Sequence, residues 1–237
     1  MNFKFAGYKS FVMLSLPNIT LVAATSVDLE ATELALRISS HEIEFGAIKF
    51  LCSEQFKASD SKIKIESIPR MDLVGYSKFI LNDLHHYVDT EYCLVVQSDG
   101  FVLNANFWDP NFLSYDYIGA PWPKKLFLQP SNAELNMHRN CVGNGGFSLR
   151  SKKLLLETAK IDFNSLKFPT QSEDLIICHY LYDHFIDIGI RFPDPEIAAR
   201  FSIESQDALY GQDPMTVFGF HGKSLRDAIF QSMAGPA

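Results

Sequence analysis

The first hundred residues alternate short apolar runs with amphipathic helical stretches, and this alternation restricts the chain to a small group of folds. Residues 19–24 form an unbroken apolar run closed by Thr25 and Ser26, which predicts a strand. Asp28 then opens a helical pattern in which Leu29, Ala31, Leu34, Ala35 and Ile38 share a face. Residues 47–52 predict a second strand, and the alternation over 62–68, with Ile63 and Ile65 on one side, a third. Residues 76–88 are helical in pattern, with Tyr76, Ile80, Leu84, Tyr87 and Val88 turned inward. Leu94, Val95 and Val96 make the next strand. The order β–α–β–β–α–β predicts an α/β domain with a mainly parallel central sheet flanked by helices.

The strand at 94–96 runs straight into Gln97-Ser98-Asp99-Gly100, and apolar residues resume at 101–103. Asp-Gly between two strands is a hairpin signal. The same residues set a carboxylate at the end of a core strand, where ligands gather in open α/β sheets, next to a glycine that admits a close approach. Both readings stand on these residues.

The second half has a different texture. Residues 104–142 hold Trp108, Trp122 and four prolines, Pro110, Pro121, Pro123 and Pro130, and predict loops and short strands that build an acceptor site. Gly143-Asn144-Gly145-Gly146 precedes a strand at 147–150. This is either a tight turn or a loop kept bare for a substrate, with Asn144 able to donate and accept hydrogen bonds. Residues 151–160 predict a short helix. Residues 172–188 predict a long one, with Leu175, Ile176, Tyr180, Leu181 and Phe185 inward and Gly189 as its stop. Ser172, Glu173 and Asp174 suit a helix start, where a serine caps and acids meet the dipole. They equally offer a general base, and Asp174 holds its carboxylate more rigidly than Glu173. His221, between Phe220 and Gly222, is either a core histidine or a ligand, and His with Asp suits Mn²⁺. Lys78 is a solvated lysine or a phosphate contact. Trp122, between two prolines, packs inward or presents a face to a sugar ring.

Composition narrows the partners. The formal charge of −7 and pI near 5.5 argue against general nucleic-acid binding. Cys52, Cys93, Cys141 and Cys178 are scattered, without a CxxC pair, which predicts free thiols and a cytoplasmic setting. Lys4 and Lys9 precede an apolar run over 11–16, but its six residues are too few for a signal peptide, which needs about seven, and Pro17-Asn18 close it. No run approaches the roughly 20 apolar residues of a membrane span. One domain over 1–237 is expected.

Taken in order, these pieces resemble a GT-A type glycosyltransferase, and most closely the glycosyltransferase-like family DUF5672. The residues concerned are the first strand over 19–25, the helix over 76–89, and Gln97-Ser98-Asp99-Gly100-Phe101 at the position of the DXD motif. They continue with 143–150 as the glycine-rich segment, Ser172-Glu173-Asp174 as the xED motif and Phe220-His221-Gly222 as the C-terminal histidine. The resemblance spans about 18–224. It implies a nucleotide-sugar donor, a divalent cation (Mn²⁺ or Mg²⁺) on Asp99 and His221, and a glycan or lipid-linked acceptor in surface polysaccharide biosynthesis. It implies Asp174, with Glu173, as the catalytic acids of an inverting transfer. Thr25, Lys78, Ser98 and Asp99 fall on the donor side; Asn144, Gly145 and Gly146 edge the sugar, and Trp122 the acceptor. Gln97 replaces the first acid of DXD and brings no charge, so the implied cation is held less tightly than by two carboxylates. A binding module on the same fold without catalysis is the alternative.

Overall fold

The computed structural model describes residues 13–128, 131–204 and 210–234. Lys4, Lys9, the first part of the 11–16 run and Pro130 lie outside the described residues. The chain opens with β1 (Leu14–Thr25), α1 (Leu29–Ser39), β2 (Ile43–Cys52), β3 (Ile63–Ser67), α2 (Leu73–Asn82) and β4 (Tyr92–Val95). This is the β–α–β–β–α–β order expected from the sequence. The second half adds β5 (Tyr117–Ile118), a hairpin of β6 (Lys125–Leu128) and β7 (Ala133–Asn136), then β8 (Ser148–Ser151) and α3 (Lys152–Thr158). It continues with α4 (Glu173–Leu175), α5 (Tyr182–Asp187), α6 (Pro195–Phe201), β9 (Ser202–Ile203), β10 (Gly219–Phe220) and α7 (Lys223–Ala234).

The central sheet has six strands in the order β3-β2-β1-β4-β8-β5. β3, β2, β1 and β4 are parallel, while β8 and β5 join antiparallel. Both faces of the centre of the sheet are covered, which is why β4, β1 from Ile19 and the end of β2 are largely apolar, while β3 at the edge alternates. Leu21, Ala23, Leu94 and Val96 pack into the cluster that contains Leu36 of α1. Val22, Ala24, Cys93 and Val95 pack against Phe79 and Ile80 of α2 on the other side.

Three expectations shift. Pro17 and Asn18 do not end a run: β1 passes through them, and the register with β2 slips between Leu16 and Thr20, where proline has no N–H to give the ladder. The stripe buried along α1 is Thr32, Glu33, Ala35, Leu36 and Ser39 rather than the face through Leu29, Leu34 and Ile38. The helix lies between the sheet and the cluster around Phe220 and Leu225, so Leu36 serves one layer and Ala35 the other. The helix over 172–188 is not continuous. A π turn occupies Ile176–Tyr180, with Leu181 N–H donating to the Ile176 carbonyl at 2.9 Å. Gly189 stops α5 with φ +80° as expected. All four cysteines are free. Among the described residues no helix is long and apolar enough to cross a membrane.

Candidate active site

Both readings of the 97–100 segment hold at once. Gln97 and Gly100 exchange backbone hydrogen bonds at 3.0 Å, so Ser98 and Asp99 form a tight turn. That turn projects Asp99 beyond β4 at the carboxyl edge of the sheet. His221 is brought there by β10. Gly219 bridges Val102, Phe220 pairs in parallel with Ile203 of β9, and Gly222 N–H donates to the Asp99 carbonyl at 2.8 Å. His221 Nε2 then lies 3.6 Å from Asp99 Oδ1 and 3.2 Å from Gln97 Oε1. The Gln97 amide is oriented by its Nε2, which donates to the Tyr76 hydroxyl at 2.9 Å, so its oxygen faces the imidazole.

The glycine loop forms the opposite wall. Asn144 adopts φ +62°, a left-handed conformation costly for a side-chain-bearing residue, and is 1% exposed. Its Oδ1 accepts from Gly146 N–H at 3.0 Å and its Nδ2 lies 3.1 Å from His221 Nδ1. A Cβ at Gly146 would overlap the imidazole, and one at Gly145 would overlap the Glu173 carboxylate. The loop is bare because no side chain fits between these groups.

Asp174 meets the loop from the start of α4. Its Oδ2 accepts from Gly145 N–H at 3.1 Å and its Oδ1 from Leu175 N–H at 2.7 Å. Burial, reinforced by the adjacent Glu173 charge, pushes its pKa up to about 7 against the pull of those two N–H groups. Glu173 packs against the same glycine, Gly145, but is held by a cationic side chain. It is 6% exposed and accepts from Arg150 Nη2 at 3.0 Å. Arg150, wholly buried on β8, also stacks over Tyr117 with its guanidinium 5.3 Å from the ring centroid.

The remaining expected residues fall in different places. Thr25 ends β1 and closes a turn by donating to the Val27 carbonyl at 2.6 Å. Ser98 turns toward a cavity of about 270 Å³ between α1 and α7, away from Asp99's partners. Lys78 is exposed on α2, between inward-facing Ser77 and Phe79. Trp122 is 5% exposed, its ring packed on Gly143, so it does not offer a stacking face. Its Nε1 instead donates to Glu204 Oε2 at 3.1 Å. Glu204, Arg150 and the Tyr76 hydroxyl were not anticipated. An arginine inside a core strand calls for a buried acid, which was a readable signal for Arg150. Glu204 had none, since it follows a two-residue strand.

His221 takes part in opposing effects. Burial pulls its pKa down, but the nearby Glu204 carboxylate and the charges of Asp99 and Asp174 outweigh it, and the net shift is upward. The donor types are those a divalent cation takes: a carboxylate from Asp99 and a neutral carbonyl oxygen from Gln97, 3.6 and 3.2 Å from the imidazole Nε2 of His221. Among the described residues no three His, Cys, Asp or Glu side chains cluster as metal ligands, so Gln97, water or ligand oxygens would complete the shell.

A family profile described as a protein of unknown function, DUF5672, matches residues 62–221, more than half of the chain. The chain belongs to this family. No curated protein matches its sequence. Among solved structures it is similar to a glycosyltransferase involved in the glycosylation of the major capsid of PBCV-1, at 14% identity over 90% of this chain and 98% of the other, TM-score 0.47. It is similar to an active-site mutant of LgtC at 13% identity over 92% and 95%, TM-score 0.48. A third is a mannosyltransferase from Pyrobaculum calidifontis in complex with GDP-Man and Mn²⁺, at 9% identity over 63% and 50%, TM-score 0.36.

Proposed function

We propose that this protein is a glycosyltransferase of the GT-A type that moves a sugar from a nucleotide-sugar donor to a hydroxyl of a glycan or lipid-linked glycan. One observation supports the reading above all others. Asp99 and His221, distant in sequence, meet within 3.6 Å, and across the bare glycine loop stands Asp174 with a carboxyl poised at about 7.

In this reading the donor diphosphate lies by Asp99 and His221, its sugar over Gly145 and Gly146, and its nucleoside toward Thr25. Asp99, His221 and the Gln97 oxygen would hold Mn²⁺ or Mg²⁺; such an ion, when bound, neutralises charge on the departing diphosphate. The Asp174 carboxylate accepts the proton of the acceptor hydroxyl as that oxygen attacks the anomeric carbon. The bond from this carbon to the diphosphate oxygen breaks, and the nucleoside diphosphate keeps the electron pair. Attack opposite the leaving group inverts the centre. A pKa near neutrality leaves Asp174 both ionised in useful amount and basic enough to pull the proton. Glu173 stays with Arg150 and fixes the first turn of α4. The free cysteines support a cytoplasmic setting.

The test is thermal denaturation against a panel of nucleoside diphosphates and nucleotide-sugars, each with Mn²⁺, Mg²⁺ or chelator. A ligand at 100 times its dissociation constant adds about 2.7 kcal/mol, enough to move the transition measurably. A nucleotide-dependent shift that is larger with cation than with chelator is expected. Absence of any nucleotide-dependent shift would sink the transferase reading.

A further inference from the structure

Glu204 belongs to none of the motifs from which the site was expected. Its carboxylate nonetheless faces the imidazole of His221 from the side away from Asp99. Glu204 Oε1 lies 3.7 Å from His221 Nδ1, and Asp99 Oδ1 lies 3.6 Å from Nε2, so each ring nitrogen is met by a carboxylate. Local structure imposes this. β9 and β10 run parallel with Ile203 opposite Phe220, so the residues that follow, Glu204 and His221, emerge side by side. Glu204 is held in turn by the Trp122 indole N–H at 3.1 Å, and Trp122 is fixed by burial against Gly143.

A histidine that binds metal through one nitrogen commonly donates the N–H of the other to a carboxylate, which fixes the ring and its proton. We infer that Glu204, held by the Trp122 indole, is the positioning residue that presents the Nε2 lone pair of His221 to a divalent cation at Asp99. Two neighbours favour the opposite ring form. Asn144 Nδ2, 3.1 Å from Nδ1, donates to a bare Nδ1, and Gln97 Oε1, 3.2 Å from Nε2, accepts from a protonated Nε2. The Glu204 carboxylate, 3.7 Å from Nδ1, is the acceptor a proton on Nδ1 would turn to, and its charge favours that proton and so the form with Nε2 free. The inference rests on the cation of the proposed function and on nothing else in it.

The test titrates Mn²⁺ alone into the full chain and reads free Mn²⁺ by electron paramagnetic resonance, with melting in chelator measured alongside. Asp99→Ala is expected to abolish binding. Glu204→Gln is expected to weaken affinity at least about tenfold while its melting in chelator matches the parent. Glu204→Asp recovers part of the loss, and Trp122→Phe, which keeps the ring but not the N–H, loses less in the same direction. If Asp99→Ala loses Mn²⁺ while Glu204→Gln binds it as tightly as the parent, the inference falls and the cation site survives. A parent that binds no Mn²⁺, or binds it equally after Asp99→Ala, overturns the cation reading and this inference together. Should Glu204→Gln not fold, unchanged affinity in both Glu204→Asp and Trp122→Phe overturns the inference.

Discussion

Two adjacent acids, Glu173 and Asp174, have separate fates because of one arginine. Arg150 takes the Glu173 carboxylate at 3.0 Å, which leaves Asp174 with only backbone N–H partners and its carboxyl lifted to about 7 by burial and by its neighbour's charge. A base works ionised, so kcat/KM of the parent should climb with pH until just above 7 and then level. A rising limb that ends near pH 4 would mean an unperturbed carboxylate and a different base. Asp174→Asn should cut kcat by about 10²–10⁴ with donor affinity unchanged by calorimetry. Loss of donor affinity with turnover spared would reassign the residue. From the sequence, the pair of acids at a helix start was legible, and their division of labour was not. It depends on Arg150, whose place beside Glu173 comes from sheet pairing rather than from anything near residue 173.

The elements that frame the site show the same division. The glycine loop was readable as a bare approach, but its partners arrive from α4 and β10. Gly146→Ala puts a methyl into the His221 ring. The ring must move, so donor affinity should fall at least about tenfold, with roughly 1–3 kcal/mol lost in urea denaturation. An alanine that leaves donor binding intact would mean His221 takes no part in it. Beyond Asp174, helical periodicity reads straight through 176–180, because the apolar pattern is the same for an α or a π turn. What admits the wider turn is Asn140, buried and distant in sequence, whose amide donates to the carbonyls of Cys178 at 2.9 Å and Val142 at 2.8 Å. Asn140→Ala strands two buried carbonyls and should cost about 1–3 kcal/mol for each that water cannot reach. A loss below 0.5 kcal/mol, on the order of an exposed substitution, would show that the π turn needs no such support.

Across the whole molecule, the fold was legible where burial is simple. A sheet covered on both faces gives continuous apolar runs, and the β–α–β–β–α–β order followed from them. The site's electrostatics were not, because they arise from groups that meet only after folding, and they set the pH response of the entire chain. Asp174, raised to about 7, keeps a proton in the native state that the unfolded carboxyl releases near pH 4, and His221, also raised, keeps one that the unfolded imidazole releases around pH 6.5. Through those windows the native state binds more protons than the unfolded one, so Asp174 lowers stability as pH rises from about 4 through 7, and His221 as it rises through and above about 6.5. His85 and His179 act on the acid side. Burial chiefly lowers both, so the unfolded chain takes up protons first and stability is lost as pH falls below about 6.5. Melting temperature measured in chelator should therefore fall as pH rises above about 6.5, where His85 and His179 no longer offset Asp174 and His221. Mn²⁺ should stabilise more above about pH 6.5 than below it, since a cation takes only the deprotonated imidazole. Asp174→Asn should gain stability over the parent as pH rises from about 4 to 7 in chelator; parent and variant profiles that run parallel over that range would show that Asp174 titrates in its ordinary range and does not set the response.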